Sequence, residues 1–302
     1  MITKDYLIVD KLDSGASSVE KYKVYKDGKY YLLRVFDARF MENRYKALEN
    51  MEFLYRNDIC VPMVYNKGLL NNEKGYALVD WVEGISLDQM LTNPELEMRY
   101  GEYAAKELLK MHNVAVKKQV EVYDKFIESF LKKIKKTMSL EIEKKHLKLI
   151  EDYVNNNCIV LRDINCNCVI HGDFHPGNII IDNNNKLVFI DMDVCKISHS
   201  WEDLASNACN MEFPDFYSSV IVNYFNGEVP EKFWQVYNLY GCLYVLDYIL
   251  YTLRINGKTL KDGQEKLQEF LEFTNYFQNF IPSWFNTEVK VRRNINERIK
   301  KI

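Results

Sequence analysis

The feature that most restricts this chain is the stretch His171-Gly172-Asp173-Phe174-His175-Pro176-Gly177-Asn178, followed by Ile179-Ile180-Ile181, an Asn-rich turn and Leu187-Val188-Phe189-Ile190-Asp191. Two apolar runs broken by Asp182-Asn183-Asn184-Asn185 predict a β-hairpin. Such a hairpin holds Asn178 and Asp191 at adjacent ends of paired strands, while Pro176 and Gly177 suit an irregular loop that carries Asp173 just ahead of it. A carboxylate at Asp173 can take the proton of an attacking hydroxyl. The Asn178 amide oxygen and the Asp191 carboxylate are the hard ligands that Mg²⁺ prefers. Together they suit phosphoryl transfer, which needs an in-line nucleophile and neutralised phosphate charge more than covalent help. An ordinary hairpin behind a structural His-Gly-Asp turn would leave the agreement of these polar positions without a cause.

The interval Asp173-x-x-x-x-Asn178 with a separate downstream aspartate is that of a kinase catalytic loop. His171 to Asn178 with Asp191 resembles the signature of aminoglycoside phosphotransferases and their relatives, which include choline, methylthioribose and macrolide kinases. The resemblance implies an α+β, two-lobed, protein-kinase-like fold. Residues 1–84 would form a small N-terminal lobe, an antiparallel sheet with one helix that binds nucleotide, with a hinge near 80–84. Residues 85–302 would form a larger, mainly helical lobe for catalysis and acceptor binding. The resemblance also implies Asp173 as catalytic base, Asn178 and Asp191 as Mg²⁺ ligands, ATP or GTP as co-substrate, and His171 as the histidine that braces the loop.

Residues 6 to 36 alternate apolar and polar positions around a turn at Asp27-Gly28 and predict three antiparallel strands. In the loop from Lys11 to Val19, Gly15 would let the backbone approach a phosphate, and Ser17 and Ser18 could donate to its oxygens; an ordinary hairpin loop fits the same residues. On the third strand, Arg34 stands where the family it resembles usually has a phosphate-binding lysine. An arginine keeps the charge and can fork onto phosphate oxygens with a different geometry. The helix expected from about Ala38 to Arg56 has Ala47 in the place of the family's orienting glutamate, with Glu42, Glu49 and Glu52 as nearby candidates. Two further strands follow, Val61 to Tyr65 and Gly75 to Gly84. By resemblance, backbone groups near Asp80 to Val82 would hold the purine edge.

From Glu95 the apolar period becomes helical, and the first stripe ends near His112, which resembles the close of the family's long helix with its Leu-His or Met-His pair and implies a packed histidine bracing the catalytic loop rather than a ligand. Helices follow around Phe126 to Ile134 and Leu140 to Val154, with Lys132 to Lys136 as a solvated run. The segment Ser198 to Leu204 resembles the family's Asp-Pro-x-x-Asp-Leu stretch, with Asp203 as a structural anchor. Asp193 reads either as a surface carboxylate or as a member of the metal site. Phe280 to Phe285 resembles a closing Pro-x-Trp-aromatic element. Residues 195 to 250 are rich in acids (Glu202, Asp203, Glu212, Asp215, Glu228, Glu231, Asp247), poor in bases (Lys196, Lys232), and carry Trp201, Trp234, Tyr237, Tyr240, Tyr244 and Tyr248. Either these attract a cation, or the aromatics at helical spacing form a core face with acids on its wet side.

Composition narrows the remaining classes. At 302 residues and 47% hydrophobic, the chain can bury a large core. Its first residues lack a secretory apolar core, which predicts a cytoplasmic location. The seven scattered cysteines fit reduced thiols, and Cys166-Asn167-Cys168 lacks the second pair that zinc would need. A net charge of −3 gives no global attraction to nucleic acid or anionic membrane. The basic residues from Lys290 to Lys301 read as a solvated terminal helix. Expected partners are therefore a nucleoside triphosphate and a small cationic hydroxylated substrate, with no nucleic acid and no membrane. Among acceptors an aminoglycoside leads by resemblance. The alternatives are a metabolic kinase for choline or another amino alcohol or sugar, a macrolide kinase, and a nucleotide-binding protein with little turnover, motivated by Arg34 and the missing glutamate.

Overall fold

In the computed structural model, which describes residues 5–12, 19–117, 119–164, 166–209, 212–255 and 257–289, period-two patterning near the N-terminus builds β1 (Leu7–Leu12), β2 (Glu20–Lys26) and β3 (Lys29–Asp37). Asp27 and Gly28 turn between β2 and β3 with φ of 50° and 82°, the left-handed pair that a two-residue hairpin needs. Helix α1 (Met41–Arg56) follows one short 3₁₀ turn. Strands β4 (Val64–Leu69) and β5 (Lys74–Asp80) complete a sheet in the order β1-β2-β3-β5-β4. β4 begins at Val64 rather than Val61, consistent with Pro62, which has no N–H to give a ladder. Ser17, Ser18 and Gly15, with the basic residues from Lys290 to Lys301, lie outside the described residues.

The chain groups into two compact units: Met1–Met90 with Met111–Val120 and Asn165–Asp203, and Leu91–Lys110 with Glu121–Ile164 and Leu204–Ile302. Register decides which face of the first unit's sheet becomes chemical. Lys21 pairs with Arg34, and Arg34 with Ala77. Directly opposed residues share a face, so these three form one row across β2, β3 and β5. The other face buries Val24, Leu33, Val35 and Leu78 among tyrosines. Phe36 lies two residues beyond Arg34 on the same side, and its ring meets Tyr45 of α1 edge-on at 6.4 Å. Helix α1 buries the stripe Ala47, Leu48, Met51 and Leu54, spaced as one helical face.

The first unit is completed by β6 (Gly84–Ser86), β7 (Cys168–Ile170), β8 (Ile179–Asp182), β9 (Leu187–Phe189) and β10 (Lys196–Ser198). They pair as β6-β8-β9 and β10-β7. The expected hairpin is β8–β9, with Asp182 Oδ1 accepting from the N–H groups of Asn184 and Lys186 at 2.8 Å each. Gly84 is required where β6 crosses β8, because a Cβ there would stand 2.2 Å from the Ile181 carbonyl oxygen.

The second unit holds most of α2 (Pro94–His112), with α3 (Tyr123–Met138), α4 (Lys144–Asn157), the end of the single turn α5 (Trp201–Leu204), α6 (Pro214–Tyr224), α7 (Glu231–Thr252) and α8 (Leu260–Phe273). Helix α7 is buried around nearly its whole circumference. Trp234, Tyr237 and Tyr240 are core side chains, and Tyr244 and Tyr248 are half-buried. The core reading of that aromatic segment therefore holds for Trp234, Tyr237 and Tyr240, whose rings are spent on packing. Asp247 binds Lys133 at 2.7 Å, which also takes Lys133 out of the solvated lysine run. No helix among the described residues is long and apolar enough to cross a membrane, and the seven cysteines are free thiols.

Gly241 lets α7 and α8 meet, since a Cβ there would fall 2.4 Å from the buried Phe270 ring. Gly241→Ala should destabilise the protein by about 1–3 kcal/mol through overpacking, offset by about 1 kcal/mol of helix propensity. A lowered urea midpoint at unchanged slope checks this, and an unchanged midpoint would show that the ring yields freely.

Candidate active site

A buried carboxylate sets the loop that carries Asp173. Asp203 accepts the Gly172 N–H on Oδ1 at 2.7 Å and the His171 N–H on Oδ2 at 2.7 Å, and His112 Nε2 lies 3.0 Å from the same Oδ2. Burial works against ionisation of Asp203, yet the His112 hydrogen bond and charge, with His171 and the Gly172 N–H, hold its carboxyl below the usual range. Gly172 has φ of 82°, and a Cβ would meet the Val194 carbonyl oxygen at 2.7 Å. The His171 ring then spans the loop. Its Nδ1 accepts from Asp173 N at 3.2 Å and its Nε2 donates to Ile190 O at 2.8 Å. One nitrogen accepts and the other donates, the pattern of a neutral imidazole; burial likewise pushes the pKa of His171 down. Asp203 and His112 have the bracing places expected of them.

Asp173, Asn178 and Asp191 are brought together by this frame. The Asn178 amide donates to Asp173 O at 2.9 Å and to Asp173 Oδ2 at 3.0 Å, so the amide oxygen is the other end of a planar group already fixed. Asn178 O accepts from Ile190 N at 2.9 Å at the open end of the β8–β9 hairpin, one residue from Asp191. The Asp173 side chain is 59% exposed, with His175 Nε2 at 3.9 Å from Oδ2. His175 Nδ1 instead accepts from Gly177 N and shapes the turn. Asp191 has φ of 56°, a left-handed backbone uncommon outside glycine and found where a site constrains it.

Arg34 answers differently from the sequence expectation. Its side chain is 5% exposed, and Nη2 meets Asp191 Oδ1 at 2.6 Å and also Asp193 Oδ2. Lys21 Nζ takes the other Asp191 oxygen at 2.8 Å, and Arg44 Nη1 of α1 takes Asp193 Oδ2 at 2.7 Å. Burial would raise the Asp191 carboxyl, and the charges and hydrogen bonds of Arg34 and Lys21 outweigh it, holding its pKa down to about 2. None of the candidate glutamates is paired with Arg34 among the described residues. Glu42 binds Lys46, Glu52 binds Lys67, Glu49 is exposed, and Ala47 is buried in the α1 stripe. The surface reading of Asp193 is overturned, since it is 19% exposed and gripped by two arginines. Lys21 and Arg44 were missed. Lys21 was legible, because a two-residue turn at Asp27-Gly28 fixes the register that pairs position 21 with 34.

At the end of β5, Asp80 is committed to the sheet. Its N–H donates to Met63 O, and its carboxylate accepts from Met63 N, Tyr65 and Lys29. Val82, two residues on, has a backbone engaged by no loop or turn hydrogen bond among the described residues. A magnesium ion fits the donor chemistry present. Asp191 is held ionised, the Asn178 amide is fixed, and Mg²⁺ commonly takes only one or two carboxylates beside phosphates and water. Arg34 Nε is a buried donor without a partner, a group a phosphate oxygen could satisfy.

A carboxylate on a braced loop, an amide and a second carboxylate at a hairpin's open end, and a buried arginine on a five-stranded sheet define a phosphotransferase of the protein-kinase-like fold. The sequence matches the phosphotransferase enzyme family (APH) over residues 9–232, and the chain belongs to that family. It is a small-molecule phosphotransferase with a hydroxyl acceptor. Among curated proteins no sequence matches. Solved structures agree in fold. A thermostable mutant of the aminoglycoside phosphotransferase APH(4)-Ia, in ternary complex with ADP and hygromycin B, aligns with TM-score 0.66 at 13% identity over 89% of this chain and 96% of its own. The streptomycin–ATP complex of APH(2'')-IIa gives 0.63 at 20% identity over 89% and 94%. A protein from Haemophilus somnus 129PT described as a fructosamine-3-kinase gives 0.62 at 14% over 88% and 92%.

The neutral histidines beneath the site make the protein acid-sensitive. Burial lowers the pKa of His199 from its ordinary 6.5 to about 4. Between those values the unfolded chain binds a proton the folded one refuses, so stability is whole above about pH 7 and is lost as pH falls. His199 alone accounts for about 3 kcal/mol, about 2 of it gone by pH 5. Urea midpoints at pH 7 and pH 5 check this. His199→Gln should show the flatter dependence, and equal slopes for both proteins would refute it.

Proposed function

We propose that this protein transfers the γ-phosphoryl group of ATP or GTP to a hydroxyl of a small cationic molecule, with an aminoglycoside as the leading acceptor. The observation that carries the reading is the single frame joining Asp173, Asn178 and Asp191, with Arg34 and Lys21 beside Asp191. Asp173, exposed and oriented by the Asn178 amide, hydrogen-bonds the acceptor hydroxyl and takes its proton as the new P–O bond forms. The bond from the γ-phosphorus to its bridging oxygen breaks, and the nucleoside diphosphate leaves. Asn178 and Asp191 would hold Mg²⁺, which when bound neutralises charge on the phosphates. Arg34 binds triphosphate oxygens, with Ser17 and Ser18, which fall between β1 and β2 in the sequence, as further donors, and backbone groups at Asp80 to Val82 border the purine. As the Asp80 N–H is already used, Val82 is the better placed of the two.

The likeness to aminoglycoside phosphotransferases under 25% identity supports the fold, and the acceptor is proposed by family. A metabolic kinase for an amino alcohol or a sugar is the second reading, favoured by the structure described as a fructosamine-3-kinase. The burial of Trp234, Tyr237 and Tyr240 removes one argument for a cationic acceptor, aminoglycoside and quaternary amine alike. The low-turnover alternative is motivated by Arg34 and by the missing glutamate, and Asp193, which supplies a carboxylate to Arg34, weakens only the second of these.

Nucleotide consumption by purified protein with Mg²⁺, across aminoglycosides, macrolides, choline and glycated amines, ranks these acceptors. With the best of them, Asp173→Ala should lose about 10²–10⁴ in kcat, with nucleotide affinity nearly unchanged. Turnover close to wild type in that variant would sink the assignment of the base. No turnover with any acceptor would favour a nucleotide-binding protein.

A further inference from the structure

We infer that Asp193 is the positioning residue for Arg34, taking over with a carboxylate from the segment after Asp191 the task that a glutamate of α1 would otherwise perform; this rests on the phosphate-binding role proposed for Arg34. The two acids that meet the Arg34 guanidinium are not equivalent. Asp191 is the more exposed, at 29%, and divides its oxygens between Arg34 and Lys21. As the proposed metal ligand it cannot also be the fixed partner of Arg34. Asp193 is held from the far side. Arg44 Nη1 reaches Asp193 Oδ2 at 2.7 Å and its backbone carbonyl at 3.5 Å. One turn and a half along α1, Asn50 Nδ2 donates to Cys195 O at 3.2 Å. Helix α1 thus grips the segment 193–195 at two points, through a cation and an amide.

The charge order is strand cation, loop acid, helix cation. It is the same electrostatic clamp as a strand cation paired with a helix acid, moved one residue outward. A nearly buried guanidinium without a carboxylate is costly, and charge-assisted bonds to a fixed acid also set the plane of its fork. With Asp193 anchored by α1, Arg34 stays in place when Asp191 turns to other ligands, and its Nε group, a buried donor without a partner, remains for phosphate. Asp193 in this role touches neither phosphate nor metal.

Titration of a fluorescent ATP analogue, in EDTA and separately in Mg²⁺, tests it without knowledge of the acceptor. Asp193→Asn should weaken nucleotide affinity about tenfold under both conditions. Arg44→Gln, which loosens Asp193 from outside and decides the matter if Asp193→Asn does not fold, should weaken it about threefold. On an Arg34→Met background, Asp193→Asn should add nothing. A loss confined to Mg²⁺ would make Asp193 a metal ligand. Unchanged affinity, or an additive loss on the Arg34→Met background, would equally overturn the inference. Failure of the wild-type protein to bind the analogue is a separate result that overturns the functional reading itself.

Discussion

The Asp203 carboxylate is the constraint on which the site depends. Buried and ionised, it collects two successive backbone N–H groups of the catalytic loop and the ring of His112. Three donors on one carboxylate fix both the position and the direction of a short peptide segment. His171 then transmits that placement to Ile190 at the end of β9 through its second nitrogen. The loop bearing Asp173 and the strand end bearing Asp191 are thereby tied by one imidazole, with glycine at 172 where any side chain would strike the Val194 carbonyl.

Upon this frame the electrostatics are arranged in a chain. Lys21, Asp191, Arg34, Asp193 and Arg44 alternate in sign from β2 through β3 to α1. Alternation lets each charge lie in a partly buried setting with an opposite neighbour. Ala77, in register beside Arg34, adds no charge to this row. The left-handed backbone of Asp191 bends the chain so that two acids only two residues apart can face the same guanidinium.

Much of this was legible in the chain itself. The hairpin and the early strands follow from periodicity and turn chemistry, which are local, and the order Asp173, Asn178, Asp191 stands in the sequence itself, whereas the places of His112 and Asp203 came from the family resemblance. The partner of Arg34 was not. The resemblance points to a glutamate of α1, whereas the acid arrives from Asp193, two residues beyond the left-handed Asp191. Arg44 was invisible too: an arginine on the first turns of a helix reads as solvated unless its acid is known. In the aromatic segment, spacing alone left two outcomes open, and packing of α7 on α3 and α8 gives the core one for Trp234, Tyr237 and Tyr240.

The arginine at position 34 has a chemical consequence of its own. A guanidinium is a planar, delocalised cation whose fork of N–H groups meets oxygens in a fixed geometry, where an amine would be a compact point charge. It is also a poor nucleophile. Acylating reagents would therefore leave residue 34 unmarked, where a lysine in the third strand would be marked.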